Sequence, residues 1–188
     1  LSKPLRSVLE DGYQGIELLA DFRIQDRFYL AAELGNEKKD YLESNINAIT
    51  KGSYFKVGLN YNAYLNWAGM TNEIFTGLRY GFSSFSQELL GYDIYSTNQS
   101  FPPTYVSQNI EYTNLNAHWA EFIIGVKTEV LNNVYLSLNL QLKRKLSEVV
   151  PENFGNLYIP GFNRTYDFSQ WGVGYGYTLT YLLPLFKN

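Results

Sequence analysis

Apolar and polar residues alternate strictly along residues 134–143. The even positions form an aliphatic series: Val134, Leu136, Leu138, Leu140 and Leu142. The odd positions are aromatic, polar or basic: Tyr135, Ser137, Asn139, Gln141 and Lys143. Successive side chains of a β-strand point to opposite faces, so this pattern predicts a strand with one aliphatic and one polar face. The aliphatic face extends over about nine residues, which is the length of a tilted strand that crosses a bilayer.

The same alternation recurs along the chain, in residues 16–24, 28–34, 55–65, 74–82, 118–130 and 171–181. Between two of these runs stands Asn132-Asn133, a dipeptide that tolerates the positive φ angles of a tight hairpin turn. The sequence therefore predicts an all-β, antiparallel, up-and-down sheet with seven strands in this chain.

The predicted connections alternate between short and long. Short turns fall near residues 25–26, 68–69 and 132–133, whereas loops are expected at 1–12, 36–52, 87–113 and 147–170. This alternation is typical of outer-membrane barrels, whose periplasmic turns are tight and whose extracellular loops are long. We therefore expect residues 1–188 to form a single transmembrane β-barrel domain with extracellular loops and a periplasmic C-terminus. Because such barrels usually have an even strand number, we expect a closed barrel of eight strands, the first lying upstream of Leu1.

Composition excludes several classes of protein. The 188-residue chain is 45% hydrophobic, but no apolar run approaches the roughly 18 residues of a membrane helix. Its net charge of -3 gives no basis for binding nucleic acid, and it contains no cysteine for disulfides or thiolate metal sites. The remaining alternative is a soluble, lipocalin-like barrel. That fold would have to bury the aliphatic faces and expose the charged ones.

If the aliphatic faces meet lipid, the opposite faces line a lumen and carry many charges. The predicted lumen network comprises Glu17, Asp21, Arg23, Glu33, Lys56, Arg79, Glu121, Lys127, Glu129 and Lys143. An eight-stranded barrel is just wide enough for side chains to fill it. We therefore expect ion pairs in a plugged lumen, not a water-filled pore.

Candidate chemistry is sparse. The single histidine, His118, is expected to point outward near the rim, and no nucleophile is placed to share it as a base. The acidic residues of segment 36–52 lack the regular spacing of a cation site, which favours a solvated loop. We therefore predict no catalytic residues, no metal site and no cofactor.

The segment NLYIPGFNR, residues 156–164, is unusually apolar for a loop. Its candidate partner-docking residues are Leu157, Tyr158, Ile159, Phe162 and Arg164. One interpretation is an exposed patch that docks another protein. The alternative is a lid whose apolar residues pack over the barrel mouth.

Five segments together resemble an uncharacterised family of small outer-membrane β-barrel proteins from Bacteroidota. They are LSKPLRSVLEDGY, YLAAELGNE, GLRYGFSSFSQ, NAHWAEFIIGVKTEVLNN and NLYIPGFNR. The resemblance implies an outer-membrane location in contact with lipid, and small barrels of this phylum resemble accessory subunits of larger envelope machines, including barrel-assembly complexes. We therefore expect a non-enzymatic interaction subunit that acts through its extracellular loops and outer wall, with other outer-membrane proteins as partners. The alternatives are a stand-alone ligand-binding or adhesin barrel and, less favoured, a lipid-modifying enzyme.

Overall fold

A computed structural model describes residues 2–43, 45–64, 72–94, 104–166 and 168–183. Its elements are α1 (Ser2–Leu9), β1 (Tyr13–Gln25), β2 (Phe28–Glu43), β3 (Ile46–Asn62), β4 (Glu73–Ile94), β5 (Thr104–Leu131), β6 (Val134–Glu148), β7 (Tyr158–Ile159), β8 (Asn163–Arg164) and β9 (Trp171–Tyr181). Among the described residues, no helix is long and apolar enough to cross a membrane.

The main sheet has seven strands in the order β1-β2-β3-β4-β5-β6-β9, with every neighbouring pair antiparallel. It is strongly curled, but its two edges remain 8 Å apart and the sheet is not a closed barrel. The prediction of a closed barrel is thus not met by the strands of this chain. Because the two edge strands are separated by an even number of antiparallel steps, β1 and β9 run in the same direction.

Period-two alternation explains which side chains the curled sheet encloses. The aliphatic positions point outward and are exposed, for example Leu18, Leu78 and Leu140. The alternate positions point to the concave side, where Lys56 and Glu121 are almost completely buried. At these positions the distribution is the reverse of that in a water-soluble domain, where apolar side chains point inward and charged ones outward.

Two of the predicted loops are strands in the structure. Residues 36–43 and 46–52 extend β2 and β3, and residues 87–94 and 104–113 extend β4 and β5. Residue 44 and residues 95–103 of those predicted loops lie outside the described residues. The alternation disappears here because both faces carry polar side chains, as in Asn36, Glu37 and Lys38. The strands therefore continue past the apolar band without the pattern that identifies them.

The predicted loop at residues 1–12 is mostly the helix α1. Its polar positions Lys3, Arg6 and Ser7 contact the rest of the protein, whereas Leu5, Val8 and Leu9 form an exposed stripe. The chain then turns at Asp11-Gly12, where Gly12 has a φ of 71°. Eight residues make too short a helix for its periodicity to stand out in the sequence.

The predicted loop at 147–170 begins at the end of β6 and then folds back against the concave face of the sheet. The two-residue strands β7 and β8 pair with each other around Gly161, which has a φ of 82°. Pro151, Ile159 and Phe162 are buried. At the opposite end, the short turn predicted at Asn132-Asn133 is confirmed, and Asn133 has a φ of 62°. The turn predicted near residues 68–69 lies outside the described residues.

Candidate functional site

Six charged side chains from six consecutive strands meet inside the curled sheet: Glu17, Glu33, Lys56, Arg79, Glu121 and Lys143. We call this set the lumen cluster. Each member stands between two outward-facing residues of its strand, so the two-residue period of a β-strand directs it inward. Three acids face three bases, and the cluster is therefore balanced in charge.

Lys56 is the centre of the lumen cluster. Its Nζ lies 2.8 Å from Glu33 Oε2 and 3.6 Å from carboxylate oxygens of both Glu17 and Glu121. Cross-strand register explains the closest pair, because Glu33 lies directly opposite Lys56. Desolvated charges are tolerated only with good partners, and one ammonium here faces three carboxylates.

Arg79 and Lys143 complete the lumen cluster. Arg79 Nε lies 3.2 Å from Glu33 Oε1, and Lys143 Nζ lies 3.5 Å from Glu121 Oε1. Two neutral groups form further hydrogen bonds with Glu121 and Lys143. Trp119 Nε1 donates to Glu121 Oε1 at 2.7 Å, and Lys143 Nζ donates to the Gly161 carbonyl at 2.7 Å. The cluster is therefore a packed, hydrogen-bonded core and also anchors the β7–β8 hairpin.

The other predicted lumen residues do not join this cluster. Asp21 and Lys127 form a separate, partly exposed pair at 2.9 Å nearer the short turns. Glu129 accepts a hydrogen bond from the backbone N–H of Asn133 and so supports the β5–β6 turn. Arg23 is exposed near the β1–β2 turn. Parity predicts the inward face of Asp21 and Lys127, which line the interior, but it does not give the depth of any of these residues in the sheet.

Glu37 is the main buried acid at the end of the sheet opposite the short turns, which we call the mouth. It forms an ion pair with Lys3 of α1, accepts a hydrogen bond from Tyr158 Oη at 2.6 Å and accepts one from the Gly161 N–H at 3.1 Å. Burial alone would raise its pKa, but the Lys3 ammonium and these hydrogen bonds outweigh burial and lower the pKa to about 2. One carboxylate thus ties α1, β2 and the β7–β8 hairpin together.

Sequence reasoning missed Glu37 because it placed this residue in a polar loop. A signal exists in retrospect, since Glu33, Gly35, Glu37, Lys39 and Tyr41 share one parity along β2. That parity is hidden where Asn36 and Lys38 make the outer face polar as well.

The residues predicted to form an exposed docking patch are largely buried. Tyr158, Ile159 and Phe162 have exposures of 1%, 0% and 2%. Phe162 packs edge-on against Trp119 with ring centroids 6.0 Å apart, and Gly81 leaves the space that the Trp119 indole fills. Leu157 is half-buried and Arg164 is exposed. The exposed-patch interpretation is therefore wrong for the three buried residues, which plug the mouth from inside.

Comparison with known families gives one match. A family model described as "Domain of unknown function (DUF6048)" matches residues 1–188. The chain belongs to the DUF6048 family. No curated protein and no solved structure matches it. Family membership covers the whole chain, while the membrane location and bacterial phylum implied by the resemblance stay predictions.

His118 of this DUF6048 chain lies on the outer face of β5. Its Nδ1 is 2.5 Å from Tyr80 Oη, and its ring lies 4.9 Å from the Phe82 ring. The outward orientation expected from parity is thus seen, and the ring is part of an aromatic group. Among the described residues, no group of three or more His, Cys, Asp or Glu side chains is arranged to hold a metal ion.

Proposed function

We propose that this DUF6048 protein is an outer-membrane β-barrel that works as a non-enzymatic subunit of a larger envelope complex. The observation that carries the membrane part is the inverted distribution of side chains. Lys56, Arg79 and Glu121 are buried, whereas Leu78 and Leu140 are 65% and 69% exposed. Soluble monomers rarely expose apolar patches larger than a few hundred Å². Lipid around the outer wall removes that conflict.

Aromatic residues at the ends of the apolar band support the same placement. Phe28 and Tyr61 pack together near the short turns, with ring centroids 5.2 Å apart. Tyr80 and Phe82 lie with His118 nearer the mouth. Aromatic girdles at both interfaces are a common feature of membrane barrels. His118 then lies at the level of the lipid headgroups.

Closure requires one additional strand between β1 and β9. An edge separation of 8 Å exceeds one inter-strand spacing of about 4.8 Å and approaches the two spacings that an inserted strand needs. Since β1 and β9 run in the same direction, only a strand running oppositely, from the short turns toward the mouth, pairs antiparallel with both. An open edge in lipid would leave backbone groups without partners.

Helix α1 indicates where this eighth strand ends. It contacts both β1 and β9 at the mouth, and Ser7 Oγ accepts the Gly15 N–H of β1 at 2.9 Å. Ser2 lines a narrow cavity deeper in the lumen, together with residues of β1 and β9. A strand rising through the gap would therefore reach α1 at Ser2. This geometry supports an eighth strand that precedes Leu1.

The filled interior supports a role for the outer surface near the mouth. The lumen cluster occupies the centre, and Ile159 and Phe162 fill the mouth. Transport through the lumen would require space that these side chains take up. The exposed stripe of Leu5, Val8 and Leu9 on α1, beside the gap, is the surface that we expect a partner protein to contact.

Site-specific photo-crosslinking in native membranes tests this function. A benzophenone amino acid at Val8 is expected to form adducts with a second protein, identifiable by mass spectrometry. The same group at Leu140, in the middle of the apolar band, is the matched control and should label lipid only. If Val8 yields no protein adduct and the protein leaves native membranes as a monomer, the subunit proposal is wrong.

The alternative of a lipid-modifying enzyme makes a different prediction. It requires His118 as its base, so His118→Ala should abolish function in cells. We expect His118→Ala to leave function intact, because the histidine ring packs with Tyr80 and Phe82 on the outer wall.

A further inference from the structure

A pocket of about 230 Å³ opens at the mouth, next to the β7–β8 hairpin. It is lined by Arg6, Glu10, Lys39, Asp40, Tyr41, Tyr158 and Arg164. These residues come from α1 and the turn after it, from the extended part of β2, and from the β7–β8 hairpin. The pocket is therefore assembled by the same elements that Glu37 ties together, and its walls are fixed by the fold.

Positive charge reaches the pocket from three separate elements, through Arg6, Lys39 and Arg164. The two acids in the lining are used differently. Asp40 pairs with Lys38, at 3.2 Å, and Lys38 is not part of the lining. Glu10 alone faces the cations Arg6 and Lys39. The lining thus carries an excess of positive charge.

The contacts of Glu10 show what this pocket can hold. Arg6 donates from Nε to Glu10 Oε2 at 2.5 Å and from Nη2 to Oε1 at 3.3 Å. Lys39 Nζ donates to the same Oε1 at 2.6 Å. A bidentate guanidinium with an ammonium beside it is the arrangement that carboxylates and phosphates bind best. Glu10 is about a third exposed, so its side chain can rotate away and leave these donors to another anion.

Two tyrosine rings form the rest of the pocket wall. Tyr41 and Tyr158 lie 6.5 Å apart between ring centroids, at an angle of 56°. Tyr158 is held in place by its hydrogen bond to Glu37. Rigid aromatic walls with a few convergent polar groups are typical of small-molecule sites. The volume is below the common range for drug-sized ligands, so the ligand is no larger than one substituted sugar ring.

We propose that the mouth pocket binds a small organic phosphate of the phosphorylated-monosaccharide class. Arg6, Lys39 and Arg164 bind the phosphate, and Tyr41 and Tyr158 contact the ring. Glu10 occupies the phosphate position when the pocket is empty. A phosphate offers three acceptor oxygens and up to two negative charges, and so engages more of these donors than a carboxylate does. The same chemistry occurs in a free sugar phosphate and in the headgroup of a phosphorylated glycolipid.

Calorimetric titration of the full chain in detergent tests the proposal, with glucose 1-phosphate, inorganic phosphate and glucose as probes. Glucose 1-phosphate is expected to bind saturably and more tightly than the other two. Lys39→Gln should weaken its binding about tenfold or more, because a charge-assisted hydrogen bond is lost. Lys51→Gln is the control, since Lys51 is exposed and lies outside the pocket lining, and it should bind as the wild type does.

Glu10→Gln provides a test with the opposite sign. It removes the internal competitor for Arg6 and Lys39, so glucose 1-phosphate should bind at least about threefold more tightly. A purely structural ion pair predicts weaker or unchanged binding instead. Competition with lipid A in micelles distinguishes the two sources of the phosphate. Displacement of glucose 1-phosphate by lipid A would assign the site to a glycolipid headgroup, and lack of displacement would assign it to a free sugar phosphate. Absence of saturable binding to the wild type, equal losses in Lys39→Gln and Lys51→Gln, or weaker or unchanged binding by Glu10→Gln would each overturn the proposal.

Discussion

Two regions inside the curled sheet are filled by different means: the lower lumen, which is the part that holds the lumen cluster, and the mouth. In the lower lumen, charged side chains on neighbouring strands neutralise one another around Lys56. At the mouth, the chain itself supplies the filling, because residues 151–164 bring Ile159 and Phe162 against side chains of the sheet, and Glu37 ties this segment to α1. The lower lumen follows from strand parity alone, whereas the mouth depends on contacts between distant parts of the chain. The two regions should therefore respond differently to mutation and to pH.

The largest expected effect comes from Lys56→Met in the lower lumen. The substitution leaves two buried carboxylates and the partly buried Glu17 without their common cation, and breaking a buried pair costs about 3–5 kcal/mol. Urea unfolding in detergent, followed by the heat-dependent shift on gels, measures the change. Lys51→Met is the matched control on the same strand, since Lys51 is exposed with one acid at 3.8 Å, and it should change stability by less than about 0.5 kcal/mol. Equal unfolding midpoints for the two variants would contradict the central role of Lys56.

At the mouth, Phe162→Ala should cost about 3 kcal/mol by leaving a cavity beside Trp119. We expect the loss to appear first as faster proteolysis of residues 151–164, because the plug is held mainly by packing. Phe168→Ala is the control, since Phe168 is 90% exposed, and it should leave proteolysis unchanged. Identical proteolysis of both variants would show that the buried plug does not hold this segment.

Acid should loosen the mouth through Glu37. The folded-state pKa of about 2 lies below the value near 4.3 of a free glutamate, so Glu37 contributes stability that is complete above about pH 4.3 and is lost as the pH falls to about 2. The contribution is at most about 3 kcal/mol. The urea unfolding midpoints of the wild type and Glu37→Gln are measured from pH 7 to pH 2. The difference between the two proteins isolates the contribution of Glu37, because the other carboxylates titrate in both. If the midpoints of the two proteins change with pH in the same way, Glu37 does not stabilise the mouth.

The smallest expected effect separates two residues that share one face of the sheet. Arg79 is buried in the lumen cluster, whereas the pair of Lys127 and Asp21 is partly exposed. Lys127→Met should therefore cost only about 1 kcal/mol, as for other exposed ion pairs, and Arg79→Met about 3–5 kcal/mol. The comparison of the two unfolding midpoints checks this, and equal losses would mean that depth in the lumen has no influence.

How far the sequence predicts this structure depends on whether the two faces of a strand differ in polarity. Residues 55–61 and 134–142 alternate between aliphatic and polar side chains, and both were predicted as strands with the correct inward face. Residues 36–43 are polar on both faces, so their strand could not be recognised. The lumen cluster was predicted because parity alone directs each member inward.

The mouth could not be predicted because its contacts join residues far apart in the chain. Tyr158 and Glu37 are separated by 121 positions, and no local pattern indicates their hydrogen bond. The apolar residues Ile159 and Phe162 were recognised as unusual for a loop, but the sequence allowed both an exposed patch and a buried plug. Their burial depends on the extended strands that local patterning failed to reveal.

Lipid contact of the outer wall is most directly tested by spin labelling, because the chain has no native cysteine. Single cysteines at Leu140, which faces outward, and at Asn139, which lines the lumen, carry nitroxide labels in reconstituted liposomes. We expect the Leu140 label to be accessible to oxygen dissolved in the bilayer and shielded from a water-soluble nickel complex. The Asn139 label should be shielded from membrane oxygen. Ready access of the nickel complex to Leu140 would show that this face meets water and would contradict the membrane barrel.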